Sequence, residues 1–183
     1  MRRVLTVVLA VLLVAAGAGV AVARTTPGLS ADGPTSVAGT DATAVFRIGG
    51  RTIRQVRYVD HATLVYSFVL ANEGPLPVTV TGLAAPRRSP RLFRYVGLTD
   101  DEGRRRFTIP TGDSTRVRLR MWMHACETLS ARAGSFATEV SLHTERAGVL
   151  DDVVTVAFPE EVHTGSPREA FCPNATATSR PPG

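Results

Sequence analysis

Apolar and polar residues alternate along much of this chain with a period of two. Across residues 63–71, Leu64, Tyr66, Phe68 and Leu70 fall on one side, and Thr63, Val65, Ser67, Val69 and Ala71 on the other. Across residues 115–123, Val117, Leu119, Met121 and Met123 alternate with Arg116, Arg118, Arg120 and Trp122. Successive side chains of a strand point to opposite faces, so the first set enters a core and the Arg set meets water. A helix would scatter the same Arg around its circumference and bury some of them. Residues 78–83 and 136–144 repeat the pattern. In the second of these, Phe136, Val140 and Leu142 are expected inside, and Glu139, Ser141 and His143 outside. Residues 43–48, 53–59, 92–98, 106–109 and 153–158 read as further strands, the last stopped by Pro159. Phe46, Phe93, Tyr95 and Phe158 are expected to join the core. Only residues 125–133 suit a short helix, with Gly134 to end it.

Short strands, frequent turns and no long amphipathic helix predict an all-β fold, an antiparallel β-sandwich. The turns carry their own chemistry. Asn72-Glu-Gly74-Pro75 ends one strand, and Pro110-Thr-Gly112-Asp113 opens the Arg-rich one. The run Tyr66-Ser-Phe-Val-Leu-Ala-Asn72-Glu-Gly74-Pro-Leu-Pro77-Val-Thr-Val80 resembles the strand–turn–strand of immunoglobulin-like domains in exported bacterial proteins. Such domains carry an aromatic strand, then Asn-x-Gly, then a Val-rich strand. The Pro110 turn is similar to their Pro-Gly turn. The likeness covers residues 43–158 and departs from the antibody pattern. There is no Cys in the Tyr66 strand, and Trp122 does not lie between two core cysteines. The resemblance implies an antiparallel immunoglobulin-like sandwich and a surface location, and it implies no activity.

The chain start supports export. Arg2 and Arg3 precede residues 4–23, which hold no charge and end in Ala21-Val-Ala23. A basic start, an apolar centre and a small-x-small end make a secretory signal peptide. The same twenty residues would rise about 30 Å as a helix, enough to remain as a membrane anchor. Both readings carry the rest of the chain out of the cytoplasm. The expected organisation is a signal peptide or anchor at 1–23, a flexible linker at 24–42, the sandwich at 43–173 and a disordered tail at 174–183. The linker reading rests on a Gly-, Pro-, Ser- and Thr-rich stretch with no apolar period.

Composition changes the picture in two places. All 21 basic side chains are Arg, and the formal charge is +5, or +3 once Arg2 and Arg3 are removed. That is too little for a dedicated nucleic-acid binder. The two cysteines, Cys126 and Cys172, are most simply a disulfide in an exported chain. Closing that loop would stabilise the fold by about 4 kcal/mol in the chain-entropy picture and would tie back the C-terminal segment.

Candidate chemistry is sparse. Met121, Met123, His124 and Cys126 have the soft donors of a copper carrier, although strand alternation turns both Met toward the core. Asp100-Asp-Glu-Gly103 lacks the ligand spacing of calcium loops and reads as a solvated acidic turn. No hydrolase motif occurs, so an unrecognised hydrolase is an alternative without assigned residues, and no cofactor is implied. The remaining candidate is a surface. Arg116, Arg118 and Arg120 line one sheet face with Trp122, while Arg87, Arg88, Arg91 and Arg94 cluster around Pro90. Such a face suits an anionic lipid or polymer surface, or an envelope protein, unless carboxylates such as Glu139 pair with it across the strands. The expectation is therefore a non-catalytic binding or structural module of the cell envelope.

Overall fold

A computed structural model describes residues 27–40, 43–57, 61–86, 92–124 and 134–164. The strands are β1 (Leu29–Ala38), β2 (Thr43–Ile48), β3 (Arg51–Val56), β4 (Thr63–Asn72) and β5 (Val78–Leu83). They continue with β6 (Phe93–Asp100), β7 (Phe107–Ile109), β8 (Ser114–Met123), β9 (Ser135–Arg146) and β10 (Leu150–Thr164). Among the described residues there is no helix. Two sheets form, one ordered β1-β4-β8-β6 and the other β2-β3-β10-β9-β5-β7. The apolar faces of both sheets share one core, a β-sandwich-like arrangement.

The two alternating runs form the centre of the first sheet. β4 and β8 pair antiparallel from Thr63↔Trp122 to Ala71↔Ser114. Leu64, Tyr66, Phe68 and Leu70 are buried, as are Val117, Leu119, Met121 and Met123. Across the core, Phe158 packs on Tyr66 and Phe68 with ring centroids 5.2 and 5.5 Å apart. Val140, Leu142, Val156 and Val162 add to the second sheet's contribution, with Val56, Val80 and Ile109.

The two turns that carry the family resemblance meet in space. Asn72 is buried, and its Nδ2 donates to the carbonyls of Leu76, Ile109 and Pro110, at 2.9, 3.1 and 3.2 Å. Its Oδ1 accepts from Gly74 N–H at 3.0 Å. Its backbone also exchanges hydrogen bonds with the second turn: Asn72 N–H donates to Asp113 O and Gly112 N–H donates to Asn72 O, both at 2.9 Å. One amide side chain thereby ties the two turns together, its two N–H hydrogens shared among three carbonyls and its oxygen held by Gly74 N–H.

Five expectations need correction. Leu29–Ala38 is a strand and not linker: it pairs with β4, and Leu29, Ala31 and Val37 pack against the core. Its Gly33-Pro34 hides the pattern, because a register shift between Asp32 and Ser36 takes these residues out of the ladder. The sheet pairing is not purely antiparallel, since β10 runs parallel to β3 from Glu161↔Ile53 to Thr164↔Val56. β10 continues through Pro159, which sits inside the irregularity between Ala157 and Val162 and so interrupts no ladder bond there. The same irregularity turns Phe136 outward: Ala137 and Val140 are both buried, and Phe136 instead stacks on His163 at 4.4 Å. Phe46 also faces out, on a strand whose six residues are all exposed.

Residues 1–23, the expected helix at 125–133, the tail at 174–183 and both cysteines lie outside the described residues. Gly134 follows that expected helix at φ +73°, where a Cβ would collide with the His163 ring and the Thr164 carbonyl.

Candidate functional site

The candidate surface is the outer face of the four-stranded sheet. Arg116, Arg118 and Arg120 occupy alternate positions of β8, so they point away from the buried Val117 and Leu119. Arg118 and Arg120 are exposed and Arg116 is half-buried. Their cross-strand neighbours are uncharged: Val69 for Arg116, Ser67 and Thr99 for Arg118, Val65 and Gly97 for Arg120. Among the described residues none of the three makes an ion pair. Glu139, expected as a partner, lies in the other sheet, where its backbone carbonyl accepts from the Tyr95 hydroxyl at 2.9 Å. Burial, then the nearby Glu139 charge, raises that phenol well above its usual range. Asp32 shares a row with Val69 and Arg116 but accepts a bond from its own neighbour, Gly33 N–H, at 2.7 Å.

Alternate residues of a strand are about 6.8 Å apart. That is within the screening length of about 8 Å at physiological salt, so the three guanidinium fields overlap.

The row ends on an aromatic cluster. Trp122 is half-buried rather than open. The Arg94 guanidinium lies 4.4 Å from its ring centroid, a cation–π contact. His124 stacks on Trp122 at 5.4 Å and His61 meets it edge-on at 6.2 Å. Arg94 faces Trp122 directly across the strands, and a bulge between Tyr95 and Gly97 follows. The bulge shifts the register so that Gly97 lies opposite Arg120, leaving Arg120 a clear path over the strand. A hollow of about 320 Å³ opens beside the cluster, lined by Arg94, Tyr95 and His124 with Phe93, Leu83 and Pro86.

Sequence reasoning placed the Arg row and Trp122 together but grouped Arg94 with Arg87, Arg88 and Arg91, which lie outside the described residues. It also left His61 and His124 apart from Trp122. His124, two residues beyond Trp122, follows from the strand period, but Arg94 and His61 are brought in by the β4–β8–β6 arrangement, of which a single sequence carries no direct signal.

The other charged candidates are spent on structure. Asp101, Glu102 and Gly103 are exposed, as expected of a solvated acidic turn, but Asp100 is buried: Arg104 N–H and Nε donate to its carboxylate at 2.8 and 2.7 Å. Burial pushes that carboxyl up, but the hydrogen bonds and charge of Arg104 outweigh it and hold the group below the usual carboxylate range. Arg104 also pairs with Glu102, and Arg106 pairs with Glu145. Cys126 lies outside the described residues, and the other soft donors do not converge. Met121 and Met123 are buried in the core, while the His124 ring lies against Trp122. Among the described residues no three His, Cys, Asp or Glu cluster closely enough to hold a metal ion.

No protein-family profile matches the chain, and no curated relative does. Among the solved structures similar to it are these two. The cupredoxin domain of amoB from Nitrosocaldus yellowstonii shares 15% identity over 64% of this chain at a TM-score of 0.27, and this chain spans 65% of its length. The Northeast Structural Genomics Consortium target SoR45 shares 9% identity over 77% of this chain and 93% of its own, at a TM-score of 0.34.

Proposed function

We propose that this chain is an exported, immunoglobulin-like binding module of the cell envelope, without a catalytic role, whose Arg face docks on an anionic lipid surface. The observation that carries this is the row of Arg116, Arg118 and Arg120, unpaired among the described residues and continued by Arg94 on Trp122. The fold reading is supported by strand order. Lettered from A, the sheet β1-β4-β8-β6 runs A-B-E-D and the run β10-β9-β5 runs G-F-C, the two sheets of an immunoglobulin-like sandwich. β2–β3 and β7 are then additions at the two edges of the second sheet. Export is supported by the basic start and apolar run of residues 2–23.

Magnitude decides how such a face would be used. Each basic group near an anionic membrane contributes about 1 kcal/mol, so four contribute about 4 kcal/mol. Alone, that is an affinity of about 1 mM. The face suits a domain already held near lipid, which an uncleaved 4–23 segment would supply.

The test is co-sedimentation of the exported chain with vesicles, with and without phosphatidylglycerol, over a range of salt. Binding to the anionic vesicles alone, weakening as salt rises, is expected. The triple variant Arg116→Gln, Arg118→Gln, Arg120→Gln should lose that binding while keeping its melting temperature. Binding that ignores salt, or a triple variant that binds as well as the parent, overturns the reading. Binding to a soluble polyphosphate but not to vesicles moves the face to an acidic wall polymer and overturns the lipid assignment.

A further inference from the structure

The four sheet edges differ in how they are protected against pairing with another chain. β1 carries Pro34 and a register shift, β6 carries a bulge, and β7 is three residues long. These are ordinary ways to blunt an edge. β2 has none of them. It holds six residues without Pro or Gly, pairs with β3 in unbroken register from Thr43↔Val56 to Ile48↔Arg51, and among the described residues has no partner on its other side. Val45 and Phe46 are each 49% exposed and Ile48 is 63% exposed.

We propose that β2 pairs antiparallel with β2 of a second copy, about a two-fold axis at Phe46, joining two six-stranded sheets edge to edge. The strand is complementary to itself in that register. A two-fold axis normal to the sheet maps each face onto itself, so it must pass through a residue pair. Centring on Arg47 would set two guanidinium groups directly opposite each other, which destabilises a strand pair. Centring on Val45 would leave the exposed Ile48 beyond the paired segment. Centring on Phe46 sets Phe46 against its counterpart, Ala44 against Ile48 and Val45 against Arg47, and leaves only the polar Thr43 uncovered. Ile53, the β3 neighbour of Phe46, extends that row on both sides.

A single strand pair is small against the roughly 1,200 Å² of a standard stable interface. The dimer is therefore weak and forms where copies are concentrated. The β2 edge belongs to the six-stranded sheet and the Arg face to the four-stranded one, so vesicle binding and dimerisation can fail separately.

The experiment is sedimentation velocity of the exported chain over a concentration series, with hydrogen exchange of the β2 amides in parallel. A monomer–dimer equilibrium is expected, with β2 protection rising as dimer forms. Phe46→Lys and Phe46→Glu should each be monomeric, since each sets like charges together at the axis. Their equimolar mixture should dimerise again, a rescue that loss of folding would not give. Val45→Glu, which faces Arg47 in this register, should tighten the dimer and stands independently of the Phe46 variants. A monomer at every concentration, a dimer indifferent to Phe46→Lys, a mixture that fails to associate or a Val45→Glu variant that weakens association each overturns the proposal. So does protection, in the dilute monomer, of the β2 amides that point away from β3, which would place another segment of the same chain on this edge.

Discussion

The β4–β8 ribbon and the β2–β3 hairpin are both antiparallel strand pairs, yet they are held by different forces. In the ribbon every second residue is buried, with Tyr66, Phe68, Val117 and Leu119 all fully enclosed. In the hairpin β2 buries nothing, and β3 buries only Val56 fully. What fixes the hairpin to the body is a four-residue parallel ladder to β10 and two ion pairs. Arg54 Nε donates to Glu160 at 2.6 Å, with both side chains largely enclosed, and the Tyr66 hydroxyl donates to the same carboxylate at 3.3 Å. Burial first, then the Glu160 charge, raises the Tyr66 phenol far above its usual range, so it stays a donor. Arg54 Nη2 reaches Thr35 in β1 at 2.9 Å. Arg51 pairs with Glu161 at the surface. Apolar burial thus builds the centre, and charge pairing attaches the periphery.

Four measurements break or sharpen that contrast. Phe68→Ala should cost the most, about 3–5 kcal/mol in denaturant unfolding, because it opens a cavity among Tyr66, Phe158 and the β8 side chains. A loss under 1 kcal/mol would mean the centre is not the seat of stability. Glu160→Ala should cost about 3 kcal/mol by stranding the largely enclosed Arg54. Amide exchange should place its loss first in β3, and loosening that begins in β4 instead would reverse the assignment.

The third measurement is a pH series. The hydrogen bond and then the charge of Arg51 outweigh burial and hold Glu161 below its ordinary range. A depressed carboxylate lends stability that is complete above its unfolded pKa of 4.5 and fades as pH falls through the lower folded value. β3 protection factors should therefore drop on acidification below that point while those of β4 hold, and Glu161→Gln should flatten the response. The smallest effect belongs to Arg118→Ala, within about 0.5 kcal/mol. Leu119→Ala at the adjacent residue should cost about 2–5 kcal/mol. Equal losses at 118 and 119 would contradict the assignment of opposite faces.

The same contrast explains what was legible beforehand. The β4 and β8 faces follow from a two-residue repeat that any strand imposes, so Leu64, Met121 and the Arg row could be placed without knowing any partner. Phe46 and Phe136 could not. Phe46 sits on an edge strand that no sheet covers among the described residues, and Phe136 lies just past an irregularity that reverses which parity faces inward. β1 was hidden for a related reason, since an edge strand with a broken register need not display an apolar stripe. At the candidate surface the Arg row was readable, but the cluster around Trp122 was not, because Arg94 and His61 reach it from other strands and loops.

By itself, then, the order of residues settled that the chain makes sheets, where the core side of the two central strands lies, and that Asn72 and Pro110 head turns. Those are consequences of backbone geometry over a few neighbouring positions. Only the folded arrangement decided the strand order, the parallel contact between β3 and β10, the outward Phe side chains and the company kept by Trp122. These depend on contacts between residues far apart in the chain, where one inserted residue in a strand reverses every face beyond it.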